Sequence, residues 1–328
     1  MQLLGGLTFT ELHLRATASV TAQFDAEADH EEAAFDWLEL SQAGRPLVKL
    51  VNRQGDTPLI LVHGASGSVV SFMPLQQKFT SYLWALQSTP DMPMHSLDAM
   101  AAYYYKAIKD AQPNGPYRIG AYSGTSIIAI LIAERIVNDG DVAGQFSLLD
   151  HSPPLFTSPY FAPDDATVRL RTPSHAFINR VMQSMLCMYS AEPSMPRRQL
   201  ADEFEDAASG KVMPPAAALR WRIFSSLVTG TYEFTMFELL RQDVPYSQDL
   251  LRHALATRLR TVRVPLTLFV ADRGILLGLR SAADNVRHSD WSELGTREVY
   301  PNANVVIVEG THFTMLDSTV LTDGLQRG

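Results

Sequence analysis

The chain has 328 residues, enough for one large α/β domain with an insertion or for two small domains. Hydrophobic residues make up 46% and charged residues 19%, which excludes a disordered or fibrous chain. A net charge of −8 argues against nucleic acid as a main partner, because phosphate binding needs clustered Lys and Arg, and keeping the protein in solution is reason enough for such a charge.

Residues 1–45 hold acidic and Ala-rich stretches, with Glu31 and Glu32 and several Asp, and read as an extension or linker with some helix. No basic-then-apolar order marks a secretory signal there, and no apolar run reaches the roughly 18 residues of a membrane span. The single cysteine, Cys187, sits in an apolar stretch and allows no intrachain disulfide. A reducing, cytoplasmic setting is therefore expected, with Cys187 an inert core residue.

From Pro46 onward short apolar runs alternate with helical patterns. Strands are predicted at 47–51, 59–62, 83–87, 117–121, 146–150, 266–271 and 305–308. They are rich in Val, Ile, Leu and Phe and mostly lack alternation, as strands buried on both faces of a parallel sheet do. Ser96 is placed to cap a helix running to about Gln112, and a second is predicted from Thr125 to Asn138, closed by Gly140. Such alternation predicts a doubly wound α/β sheet. It stops between 155 and 260, where helices are predicted at 168–189, 197–208, 216–240 and 248–259, broken by prolines. The division expected is thus an extension (1–45), an α/β core (46–154 and 261–328) and a helical insertion (155–260) of the kind that forms a lid. No internal repeat or low-complexity tract is present.

Ser123 lies between the strand at 117–121 and the helix expected at Thr125. This is the strand–turn–helix setting of a nucleophile elbow, whose tight turn favours the pattern Gly-x-Ser-x-Gly. The chain reads Ala121-Tyr122-Ser123-Gly124-Thr125, so it departs from that pattern at both outer positions. A Ser-Gly turn without chemistry is the bland alternative. Asp150 ends the next strand, 27 residues on (150 − 123), which fits one helix plus one strand. His312 follows the last strand, giving the order Ser, Asp, His that α/β-hydrolases use. A serine hydroxyl needs a base, neutral imidazole serves near physiological pH, and a carboxylate fixes the imidazole tautomer. Asp150 has a helix cap as its alternative role, His312 a surface position, and Asp272 competes for the acid. The turn His63-Gly64-Ala65-Ser66-Gly67-Ser68 after an early strand is fit to present backbone N–H groups, with Ala65 and Gly124 the candidate oxyanion donors and His63 structural. It matches neither a dinucleotide nor a phosphate-loop fingerprint.

On these residues the chain resembles the thioesterase domains that end fatty-acid and polyketide synthases, over roughly Pro46 to Leu316. The most specific stretches are Leu83-Trp84-Ala85-Leu86-Gln87-Ser88-Thr89, then Ser96-Leu97-Asp98-Ala99-Met100-Ala101-Ala102-Tyr103-Tyr104, then Gln112-Pro113-Asn114-Gly115-Pro116-Tyr117-Arg118. They are similar to the corresponding segments of animal fatty-acid synthases, and a fungal polyketide synthase is one source that fits. The resemblance implies an α/β-hydrolase fold, a Ser123–His312–Asp150 triad with Asp150 rather than Asp272 as acid, and no metal or cofactor of its own. It also implies an acyl thioester substrate carried on the phosphopantetheine arm of a separate acyl carrier protein. Met182, Met185, Trp221, Phe224 and Phe237 are candidate lining for an acyl channel, with helix core as the plainer role. Arg252, Arg258, Arg260 and Arg263 form a basic cluster suited either to solvent or to an acidic carrier. Hydrolysis is the leading outcome; cyclisation or double-bond shifting at the same site, and a non-catalytic acyl-binding module, are the alternatives.

Overall fold

A computed structural model describes residues 44–52, 57–157, 174, 177, 181, 215–242, 247–259, 265–275 and 293–327. Seven strands form one sheet in the order β1-β3-β2-β4-β5-β6-β7. They are β1 (Leu47–Val51), β2 (Leu59–Val62), β3 (Leu83–Leu86), β4 (Tyr117–Tyr122), β5 (Ala143–Leu149), β6 (Leu266–Arg273) and β7 (Asn304–Thr311). Only β1 runs antiparallel, against β3 at the sheet edge. The other five pairings are parallel, so the strands from β2 to β7 end on one edge of the sheet. This is the α/β-hydrolase architecture expected from the sequence.

The apolar runs explain themselves by burial. All four residues of β2 and all six of β4 are buried. Successive β2 residues point to opposite faces: Leu59 and Leu61 join one core cluster, Ile60 and Val62 the other. Each face is covered by helices, which is what a parallel sheet demands. One cover comprises α2 (Leu97–Ala111) and α3 (Ser126–Asn138). The other includes α1 (Met73–Lys78) and the C-terminal α7 (Thr319–Arg327). Ser96 caps α2 through its hydroxyl, which accepts from Ala99 N–H at 3.1 Å. Glycine at position 120 is forced by crowding: a Cβ there would lie 2.7 Å from Leu61 Cδ2 and 3.0 Å from the Ser147 carbonyl.

Between β5 and β6 the described elements are α4 (Pro215–Gln242) and α5 (Gln248–Leu259), close to the expected helices. The helices expected at 168–189 and 197–208 lie outside the described residues, apart from Ser174, Phe177 and Val181. The extension 1–43 lies outside them too. The short helix α6 (Thr296–Val299) precedes β7. No helix among the described residues is long and apolar enough to cross a membrane.

Arg118 ties the strand that carries Ser123 to the C-terminus. Its buried guanidinium donates to Gln145 Oε1 at 2.6 Å and to the carbonyls of Leu325 at 2.6 Å, Gln326 at 3.3 Å and Thr57 at 3.2 Å. Arg118→Met strands those acceptors, and charged hydrogen bonds of this kind put the expected loss at about 2–4 kcal/mol. Urea unfolding followed by circular dichroism measures it; an unchanged midpoint contradicts the assignment.

Candidate active site

Three strand ends meet at one point. Ser123 follows β4 in a 3₁₀ turn that leads into α3, and its φ is +61°. A left-handed conformation in a residue with a Cβ is costly and persists only where the surroundings impose it. Here the buried strand on one side and the buried helix on the other force the reversal, which lifts the hydroxyl off the sheet edge. Asp150 lies one residue beyond β5 with φ +50°, a conformation Asp tolerates better than most. His312 lies one residue beyond β7.

Ser123 Oγ is 3.0 Å from His312 Nε2, and His312 Nδ1 is 2.7 Å from Asp150 Oδ2. A carboxylate can only accept, so Nδ1 carries the proton and Nε2 is left to accept from the serine hydroxyl. All three residues are buried, Asp150 completely and Ser123 at 7% exposure. The carboxylate also accepts from Ala271 N–H at 3.0 Å and Ile275 N–H at 3.1 Å. Three donors thus fix its plane.

The other sequence candidates fall into place around this line. Asp272 is directed elsewhere: its Oδ1 accepts from Gly310 N–H at 2.9 Å, which steadies the turn before His312. Ala65 is half-buried on the loop after β2, and Gly124 follows the serine with open space above its Cα. His63 is buried, with Nδ1 donating to the Gly64 carbonyl at 2.5 Å and Nε2 2.7 Å from the Tyr104 hydroxyl. Phe224 on α4 is buried in the main core cluster. Met182 and Met185 lie outside the described residues, as do the side chains of Trp221 and Phe237. Of the basic cluster, Arg252 is placed on α5 with Asp249 3.7 Å away, while Arg260 and Arg263 lie outside the described residues, as does the side chain of Arg258. Among the described residues no group of three His, Cys, Asp or Glu is gathered to hold a metal.

Several contributors are not legible in the sequence. The Tyr122 ring stacks on His312 with centroids 4.8 Å apart and 19° between planes, and its hydroxyl donates to the His312 carbonyl at 2.8 Å. Tyr122 and His312 are 190 positions apart, so no local pattern announces this contact. A second imidazole, His151, is buried behind the site with Nδ1 2.8 Å from Ser126 Oγ. Burial first, then the nearby His312, push its pKa down to about 3. Burial likewise takes His63 down to about 4, against the opposing pull of its bond to Gly64. Gly274 is the third: a Cβ there would lie 2.1 Å from Asp150 Oδ2 and 2.7 Å from Ala271 Cβ.

With this geometry in view, comparisons with known proteins fall in one direction. Residues 57–209 match the family model of the thioesterase domain. The highly reducing polyketide synthase stpks1 of Strobilurus tenacellus is 24% identical over 340 residues, covering 99% of this chain. Aspulvinone E synthetase melA of Aspergillus terreus is 31% identical over 127 residues, 36% of this chain. The chain spans 12% and 14% of the lengths of these two relatives, respectively. The solved NocB thioesterase domain, in covalent complex with a fluorophosphonate nocardicin G analogue, covers 83% of this chain and 92% of its own at 19% identity and a TM-score of 0.47.

Two outcomes test the geometry of this site. In Gly274→Ala the new methyl must displace the Asp150 carboxylate, and a misplacement of about 1 Å costs on the order of 10²-fold in kcat. Turnover of a thioester by a variant with unchanged circular dichroism measures it; wild-type kcat contradicts the packing argument. The two buried imidazoles make a second prediction. Unfolded, His63 and His151 take up protons below about pH 6.5, whereas folded they do so only near about 4 and about 3. Stability is therefore insensitive to them above pH 7 and falls as pH drops below 6.5, by up to about 1.4 kcal/mol per pH unit for each. Urea midpoints at pH 7.5 and 5.5 check this; equal midpoints count against it.

Proposed function

We propose that this domain releases an acyl chain from a carrier-protein thioester by way of an ester on Ser123. The observation that carries the proposal is the buried line from Ser123 Oγ through His312 to Asp150, at 3.0 and 2.7 Å. His312 Nε2 takes the serine proton as Oγ attacks the thioester carbonyl carbon. The carbonyl oxygen becomes an oxyanion, for which the N–H groups of Ala65 and Gly124 are the proposed donors. The C–S bond breaks, and the proton held on His312 passes to the departing thiolate of the carrier's arm. A water then gives its proton to His312 and attacks the ester carbonyl. Collapse of that second intermediate returns the proton to Ser123 Oγ and frees a carboxylic acid. Asp150 keeps the imidazole in the tautomer that accepts from Ser123 and offsets the positive charge formed in each half-reaction.

The placement of α4 supports a covering role for the helices between β5 and β6. Ile223 of α4 lies against the loop after β2, so closely that a Cβ on Gly67 would fall 2.5 Å from Ile223 Cδ1. The proposed acyl path runs beneath this helix, past Phe224, with a separate carrier protein delivering the thioester at the mouth.

Ser123→Ala is expected to lower hydrolysis of acyl N-acetylcysteamine thioesters by at least about 10³-fold, as removal of the nucleophile of a triad does. It should also abolish labelling by a fluorophosphonate probe. Product analysis across a chain-length series should find the free acid. Retained turnover in Ser123→Ala overturns the proposal, and a lactone or an isomerised thioester as sole product overturns its hydrolytic half-reaction.

A further inference from the structure

Thr125 occupies the position where an elbow usually has glycine, and its side chain is fully buried. Its hydroxyl lies 2.7 Å from the carbonyl oxygen of His63 and 3.2 Å from that of Tyr122. A hydroxyl has one proton, and the shorter line, to His63, takes it. The bond joins two separate parts of the site. Thr125 stands two residues after the nucleophile; His63 opens the loop after β2 that continues through Gly64 to Ala65. That loop passes so near the elbow that a Cβ on Gly64 would lie 2.9 Å from the Tyr122 ring and 3.7 Å from Ser123 Cβ.

The remaining ties of the loop lead away from the elbow. His63 Nε2 reaches Tyr104 and Ser88, Gly67 N–H donates to the Gly64 carbonyl at 3.0 Å, and Ser88 N–H donates to the Gly67 carbonyl at 2.8 Å. One of them lies within the loop, and the others hold it to α2 and to Ser88, just beyond β3. None of these bonds ends on the elbow; below the loop β2 pairs with β4, Val62 beside Ala121, and above that pairing the Thr125 hydroxyl makes the bond from elbow to loop. The two oxyanion donors proposed above sit on opposite sides of this seam, Ala65 on the loop and Gly124 on the elbow.

We infer that Thr125 is a positioning residue: its hydroxyl straps the loop after β2 to the nucleophile elbow and sets the separation of the two oxyanion donors. The inference rests on the acyl-enzyme function proposed above. It accounts for a threonine where the turn itself would accept glycine. It also assigns the residue an effect on the tetrahedral intermediate rather than on substrate binding, because the carbonyl oxygen moves toward the donors only as charge develops on it.

Three variants test it, with Ser123→Ala measured alongside on the same acyl thioester. Thr125→Val keeps the shape and loses the bond; kcat should fall about 10- to 100-fold with KM unchanged, a part of what loss of a whole oxyanion donor costs. Thr125→Ser keeps the hydroxyl and should recover to within about threefold of wild type. Thr125→Gly restores the common elbow pattern and removes the strap. If position 125 matters only for turn conformation, Thr125→Gly matches or exceeds wild type; under the strap it is slow, and it binds a boronic acid, which forms a tetrahedral adduct on serine, about 10-fold or more weakly. Wild-type kcat in Thr125→Gly overturns the inference while leaving the acyl-enzyme function standing. Should Thr125→Val not fold, the comparison of Thr125→Gly with Thr125→Ser decides. Retained turnover in Ser123→Ala overturns the function and the inference together.

Discussion

The arrangement depends on holding one carboxylate, that of Asp150, in a fully buried place. An unpaired charge there would be prohibitively costly, so the fold surrounds it with donors. Two are backbone N–H groups at the end of β6, from Ala271 and Ile275, and the third is His312 Nδ1. One backbone donor, Ala271, lies in the neighbouring strand and the other, Ile275, two residues beyond it, so the backbone holds the carboxylate independently of the imidazole. Once in place it dictates the tautomer of His312 and hence which ring nitrogen faces Ser123. Gly274 completes the arrangement by leaving the space the carboxylate fills.

The same economy of position runs through the rest of the site. Parallel pairing brings the ends of β4, β5 and β7 to one edge of the sheet, and each of the three residues sits just past its strand. Left-handed backbone at Ser123 and Asp150 lifts two of them out of the strand direction. Around them polar groups are satisfied in pairs: Asp272 with Gly310, Tyr122 with the His312 carbonyl, Thr125 with the His63 carbonyl. Each of these bonds joins residues from different elements around the three. His63 and His151, both neutral at physiological pH, add no competing charge beside it.

The helices between β5 and β6 stand in contrast. A sheet of this kind exposes the ends of its strands, and whatever binds there must be enclosed by segments outside it. α4 packs close to that edge, against Gly67 through Ile223 and against Leu97 through Gly230. Both contacts are places where a glycine lets an apolar side chain approach the backbone closely.

Much of this was legible in the sequence. Uninterrupted apolar runs such as Leu59–Val62 announced buried parallel strands, because only burial on both faces removes the period of two. The alternation of strands and helices fixed the fold class, and strand-end positions singled out Ser123, Asp150 and His312 as a set. Sequence alone left Asp272 competing with Asp150, since both follow strands. It could not show that Gly274 makes room for one of them, nor that Tyr122 lies flat on His312. Nor could it tell why threonine stands at 125. Each of these depends on distances between residues dozens to hundreds of positions apart. Periodicity reports how a residue meets its own element; only packing of the elements decides which side chains meet each other.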